Sequence, residues 1–263
     1  MWKLHSREFY RLLEGCVHLT RHVLRRLAVL RLPPVTQELK RQIYFTGASA
    51  TAGIVIRGAF IGTLIIAYVI NVLDADVNLA VKILLLVVLR EIGPLLAAVL
   101  VIQRSGTAVT TELALMRISG ELASLRDMRI DVRDLLVVPR VVGIALSNTV
   151  LTFYVQVIAV GGGMMLSAVV IDVPLSELVD NFFQLASLMD LLYSAIKSFL
   201  FGVAIAIIAC YHGLNPPGNS INAVPKAAIN TVMQSTLFVM LINVVFAYLV
   251  YGVLFFGLIR AVL

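Results

Sequence analysis

Between Val141 and Ile171 the chain runs for about 31 residues without a charged side chain. A membrane-spanning helix needs roughly 20 predominantly apolar residues, so this run is long for one straight span and short for two. The run Gly161-Gly162-Gly163 inside it is expected to break or bend the helix. Further apolar segments occupy about Ala52 to Leu73, Leu79 to Ile102, Met189 to Tyr211 and part of 228–259. The pattern predicts an all-α membrane protein with five transmembrane helices. Composition agrees: 60% of the residues are hydrophobic, only 14% are charged, and the mean hydropathy is +0.97. A soluble domain is nearer half apolar and about a quarter charged.

The segments between the spans carry the charge. Over residues 5 to about 31, Phe9, Leu12, Leu13, Val17, Leu24, Leu27 and Ala28 follow a helical period among Arg7, Arg11, Arg21, Arg25 and Arg26. That pattern predicts a basic amphipathic helix lying in the membrane interface, with a solvated surface helix as the alternative. Pro33-Pro34 is expected to end it. The chain therefore divides into an interfacial segment, 1–40, and a five-span domain, 41–263. Residues 103–140 are strongly charged, and Leu113, Met116, Leu122 and Leu125 predict a short amphipathic helix at about 108–127. The 172–187 link is acidic, and Gly213 to Ser220 has turn chemistry.

Lys and Arg number nine before residue 45, none in 74–78, six in 103–140, none in 172–187 and one, Lys226, in 212–227. Cytoplasmic loops carry the excess of Lys and Arg. The alternation expects a multi-pass protein of the bacterial inner membrane, with a cytoplasmic N-terminus and a periplasmic C-terminus. The first 45 residues lack a clean apolar core, so no cleavable leader is expected. Basic residues that flank apolar segments argue against nucleic-acid binding. Cys16 and Cys210 are far apart, which offers neither a disulfide framework nor a metal motif.

Charges inside a span cost roughly 2.5–3.5 kcal/mol each on insertion scales and so serve as functional candidates. Arg90 and Glu91 lie within the second span, three residues before a helix-bending Pro94. Adjacent helical residues diverge by about 100°, so each needs its own partner or a wet cavity. The pair reads either as polar lining for a headgroup path or as an ionic bracket between helices. Arg57 and Lys197 are candidate partners for Glu91. Lys82 and Arg104 lie near span ends, where long side chains snorkel to the interface. No metal-binding, nucleophile-elbow or phosphate-loop motif occurs. The chain is therefore read as non-catalytic and without a bound cofactor, and ATP and Mg would belong to a partner.

The order Leu89-Arg-Glu-Ile-Gly-Pro-Leu95, Gln103-Arg-Ser-Gly-Thr107, Thr111-Glu112, Met116-Arg117 and Val137-Val-Pro-Arg140 resembles the MlaE (YrbE) permease family, the membrane subunits of MCE-type ABC transporters. Pro216, Pro217 and Pro225 depart from the family's usual glycine-rich loop. The resemblance implies an interfacial N-terminal helix, five spans, a homodimer and a coupling helix that engages an ABC ATPase. Glu112, Met116, Arg117 and Glu121 fall in that helix. It also implies a phospholipid cavity beneath a periplasmic MCE protein, lined by the first and last spans at Phe60, Leu64, Tyr68, Tyr248 and Tyr251. Arg57, Arg90, Glu91 and Arg104 are then intramembrane polar or gating positions. A small STAS-type regulatory subunit is a further partner of such an assembly. The expected function is phospholipid movement between the inner membrane and the MCE assembly. A proton-coupled secondary transporter using Glu91 is the main alternative, with a membrane enzyme of lipid metabolism and a structural scaffold behind it.

Overall fold

The computed structural model describes residues 2–47, 60, 64, 68, 82–83, 85–170, 174–185 and 187–249. Most of the described residues are helical, with no strand among them. Helix α1 is Trp2–Arg25 and α2 is Pro33–Gly47, joined by a 3₁₀ turn at Leu27–Arg31. Helix α3 is the unbroken stretch Leu85–Ile118, α4 is Glu121–Asp127 and α5 is Val138–Val170. Helices α6, Leu175–Leu185, α7, Leu188–Leu214, and α8, Ala223–Ala247, complete the order. Among the described residues four helices are long and apolar enough to cross a membrane: α3, α5, α7 and α8. Most of the predicted first span, with Arg57, lies outside the described residues, as does Tyr251.

Several sequence expectations change. The amphipathic pattern of 5–31 is not one helix closed by Pro33-Pro34, because α1 stops at Arg25 and Pro33 opens α2. Proline is pre-organised for the first turn, where its missing N–H has no partner to lose. Consequently α2 runs across residue 40, the expected limit of the interfacial segment. Gly161–Gly163 does not break α5. In lipid, an interrupted helix leaves backbone groups unsatisfied, and three exposed polar peptides cost more than three glycines in a helix. The single helix expected at 108–127 is divided: 107–118 is the continuation of α3, and Gly120, at φ 84°, separates it from α4. The acidic link contains a helix, α6, that the sequence reading missed.

The chain forms two compact units: Met1–Thr46 with Val101–Leu146 and Phe201–Leu263, and Gly47–Leu100 with Ser147–Leu200. In the second unit Leu85, Val88 and Leu89 of α3 pack on Ala159, Val160 and Met164 of α5, with Phe182 and Leu185 of α6 against them. Helix α5 is inverted relative to a helix in a water-soluble protein. Asn148, Thr152 and Gln156, four residues apart, are buried, while Val150, Tyr154, Val157 and Met165 are exposed. Lipid is as apolar as a protein core, so apolar faces can point outward and polar groups are kept for contacts between helices. In the first unit Thr110 Oγ1 of α3 lies 2.8 Å from Thr231 Oγ1 of α8 and 3.1 Å from the Ala209 carbonyl of α7. Gly213 permits this approach, since a Cβ there would sit 2.6 Å from that of Leu113 and 3.1 Å from the Thr110 carbonyl.

Candidate functional site

The polar centre of the second unit grows from Gly93-Pro94. A π-helical turn occupies Val88–Ile92, so the Gly93 N–H bonds to the carbonyl of Val88 rather than that of Leu89. Pro94 has no N–H to give to the carbonyl of Arg90. Two backbone acceptors are thereby released inside an apolar helix, where each needs a replacement. Gln156 Nε2 of α5 donates to the Leu89 carbonyl at 2.9 Å. Lys197 Nζ of α7 donates to the Arg90 carbonyl at 2.9 Å and to Glu91 Oε2 at 2.8 Å. Gly93 leaves the space that Gln156 fills, because a Cβ there would lie 2.8 Å from the Gln156 side chain. Arg90 pairs separately, its Nε 2.7 Å and its Nη2 2.5 Å from Asp190 Oδ1. Of the two sequence readings, this arrangement is the bracket between helices: Glu91 meets α7 through Lys197, and Arg90 meets the same helix through Asp190.

A second centre lies in the first unit. Arg140, 1% exposed, follows the π turn Arg133–Val137 and opens α5. Its Nη2 lies 3.0 Å from Glu112 Oε2 of α3 and 3.5 Å from Glu38 Oε1 of α2. Arg41 bridges the same two carboxylates at 3.5 and 3.7 Å. Three helices are thus clamped by two arginines and two glutamates. Nearby, His22 Nε2 of α1 is 2.7 Å from Asp134 Oδ1, with Arg26 at 3.9 Å. His22, Asp131 and Asp134 bring potential metal-ligand atoms within 4.8 Å. That cluster already has structural work, since Asp131 Oδ1 accepts the Arg133 N–H at 2.8 Å.

The candidates read from sequence fall into distinct settings. Phe60, Leu64 and Tyr68 are helical and exposed, and Tyr248 is exposed. Arg104 sits with its guanidinium 5.5 Å from the centroid of the Phe45 ring. Of the four coupling candidates, Glu112 has internal arginine partners, whereas Arg117 and Glu121 are exposed and Met116 is half-buried. Ser119 Oγ donates to Glu121 at 3.0 Å. Glu38, Gln156 and Asp190 were not singled out from sequence, and Arg140 entered only as the last residue of the Val137–Arg140 motif. Gln156 had a signal: with Asn148 and Thr152 it makes a polar stripe at four-residue spacing through an otherwise apolar run.

Polar groups inside, apolar surfaces outside and bracketed intramembrane charges define a polytopic α-helical membrane protein. The family model described as Permease MlaE matches residues 39–249, and the chain belongs to the MlaE permease family of ABC transporter permeases. It is 31% identical over 162 residues to a "Probable ABC transporter permease protein" of Synechocystis, an alignment covering 62% of this chain and 61% of that one. A protein of the same description from Rickettsia conorii is 26% identical over 219 residues, 82% of this chain and 84% of its own. The "Intermembrane phospholipid transport system permease protein MlaE" of Haemophilus influenzae is 27% identical over 220 residues, 81% of this chain and 83% of its own.

Proposed function

We propose that this chain is the membrane subunit of an ABC transporter that moves phospholipid between the inner membrane and a periplasmic MCE protein assembly. It acts as a homodimer, an ABC ATPase supplies the energy and a STAS-type subunit regulates that ATPase. The supporting observation is the surface of α8. Only 17% of its membrane-length window is buried within the chain, against 50–56% for α3, α5 and α7. Met233, Leu237, Met240, Leu241 and Val244 are exposed along it, and Tyr248 continues that surface. A second copy and bound acyl chains are the occupants this reading gives to that surface. Phe60, Leu64, Tyr68, Tyr248 and Tyr251 handle the acyl chains. Exposed aromatic and branched side chains are suited to that task because they make many weak contacts without selecting a headgroup.

The test is affinity purification in mild detergent, from cells that also express the chromosomal neighbours, with lipid and protein contents measured together. An ATPase and an MCE protein in stable ratio, with phospholipid that is lost in Leu64→Asp or Tyr68→Asp, is the expected result. A lone chain with lipid content unchanged by either substitution would refute the reading. Transport that continues without any ATPase but stops in Glu91→Gln would favour the proton-coupled alternative.

A further inference from the structure

A cavity in the first unit lies apart from both polar centres. It has a volume of about 630 Å³, within the range of small-ligand sites, and is bounded by α1, the α3–α4 segment, the turn before α5 and the end of α7. Its apolar floor includes the buried Leu19, Val132 and Leu214, and its walls carry Arg117, Arg126, Arg129 and Arg133. The only acid on the wall, Asp131, is occupied by the Arg133 N–H. Among the described residues Arg117, Arg126, Arg129 and Arg133 form no ion pair, and Arg133 Nη1 lies 3.5 Å from His18 Nδ1. Gly15 holds α1 in place here, because its missing side chain gives the Tyr211 ring its room.

Arg129 adds an independent observation. It is the non-glycine residue with positive φ, 61°, among the described residues. The Ile130 N–H bonds to the Leu125 carbonyl at 3.0 Å, and the Arg129 N–H to the Arg126 carbonyl at 2.8 Å. Those two bonds form a Schellman closure, whose left-handed position is usually glycine. An L-residue there is disfavoured by roughly 1–2 kcal/mol. The chain therefore places an arginine where glycine would be more stable, beside three other arginines on one cavity. Strain of this kind concentrates where a side chain has a task.

We propose that this cleft binds a phosphate-bearing anion, with the guanidinium groups of Arg117, Arg126, Arg129 and Arg133 as its ligands. A guanidinium presents two parallel N–H donors that match two phosphate oxygens, and a bound anion offsets the mutual repulsion of the four cations. The floor of Leu19 and Leu214 accepts a short apolar or glycerol portion next to the charge. The charge alternation along the sequence assigns these arginines to the cytoplasmic side, so the anion comes either from a headgroup of that leaflet or from a soluble phosphate ester. The site involves none of the positions proposed to handle acyl chains, and it shares Arg117 with the surface proposed to couple to the ATPase.

The test uses the full chain in phosphatidylcholine nanodiscs with and without phosphatidylglycerol. Lipid retention is read by native mass spectrometry, and binding of glycerol 3-phosphate and inorganic phosphate by calorimetry. Arg126→Gln with Arg129→Gly is the decisive variant, because glycine suits the positive φ and the protein should melt at a temperature no lower than the parent. Loss of two charged contacts should weaken binding by roughly tenfold or more, while Lys226→Gln, an exposed cation elsewhere, leaves it unchanged. Selective loss of phosphatidylglycerol identifies the headgroup as the ligand. Loss of glycerol 3-phosphate binding alone identifies a soluble ester. If neither probe prefers the parent over the double variant, or if Lys226→Gln has the same effect, the proposal is wrong. Loss of an ATPase subunit from the complex with both probes unchanged would overturn it in favour of a protein-docking cleft.

Discussion

Replacing Glu112 by Gln removes one of the two carboxylates facing the Arg140 guanidinium. Arg140 is 1% exposed, and its Nη2 contacts Glu112 at 3.0 Å and Glu38 at 3.5 Å. Its Nε and Nη1 have no hydrogen-bond partner among the described residues, so Nη2 carries the compensation for the buried charge. At 3.0 Å two unit charges attract by about 5.5 kcal/mol with an effective dielectric of about 20. Glu112 is 41% exposed, and water on that side screens the attraction by about half. Glu38 and Arg41 remain after the substitution, so the expected loss is about 2 kcal/mol. Removing one partner of a fully buried pair costs about 3–5 kcal/mol, which sets the upper limit.

The assay is a double-mutant cycle on Glu112→Gln and Arg140→Met, using helical circular dichroism during denaturant titration in mild detergent. Each single substitution should destabilise by about 2 kcal/mol. The double variant should lose less than the sum by about 1–2 kcal/mol, because an apolar side chain no longer needs the carboxylate. A cycle additive within about 0.5 kcal/mol would refute the clamp. The same preparations separate folding from coupling. Glu112 is tied to Arg140 and Arg41, whereas Arg117 and Glu121 are exposed and in no ion pair among the described residues. Arg117→Glu with Glu121→Arg should leave stability within about 0.5 kcal/mol, as exposed charges do, and release the ATPase in a pull-down. An unchanged pull-down would remove both residues from the coupling surface.

Lys197→Met should destabilise by about 2–4 kcal/mol, because it strips the partner from Glu91 and from the Arg90 carbonyl at once; adding Glu91→Gln should restore part of the loss, and a further loss instead would contradict the pairing. Gly213→Val forces a Cβ to within 2.6 Å of the Leu113 Cβ and should cost about 1–3 kcal/mol by overpacking; unaltered unfolding would show that α3 and α7 separate freely there. Burial pushes the Cys16 thiol up to about 11, so the thiolate is scarce at pH 7.5. Maleimide should label Cys16 far more slowly than an exposed cysteine under native conditions, and at an ordinary rate after denaturation. Fast native labelling would show that α1 leaves its site.

The four described spans were legible because lipid imposes length and apolarity together, and no other solvent does. The positions of intramembrane charges were legible for the same reason. Their pairing was not. Asp190 lies 100 residues from its partner Arg90, and at the start of α7 an acid also reads as an ordinary helix-end charge. Lys197 was one of two candidates for Glu91, and only the packing of α3 against α7 selects it. The unbroken α5 was misread because glycine's behaviour in water does not transfer to lipid, where a broken backbone has nothing to bond. The division of the expected coupling helix depends on one residue, Gly120, at positive φ. The charge of Glu112 was visible in the sequence, but its contact with Arg140, buried 28 positions later, was not.

The chemistry of α3 bears on how the protein is driven. Gly93 and Pro94 release two carbonyls, and the groups that satisfy them come from two different helices, Gln156 from α5 and Lys197 from α7. Lys197 also carries the charge that balances Glu91. A carboxylate that shuttles protons must exchange its partner as it loads and unloads. Here the same ammonium group also caps the helix backbone, so protonating Glu91 and releasing Lys197 would disturb α3 itself. The two tasks joined in one side chain favour Glu91 as part of the frame. The proposed coupling to an ATPase would then rest on groups outside the membrane core, where Arg117 and Glu121 are exposed.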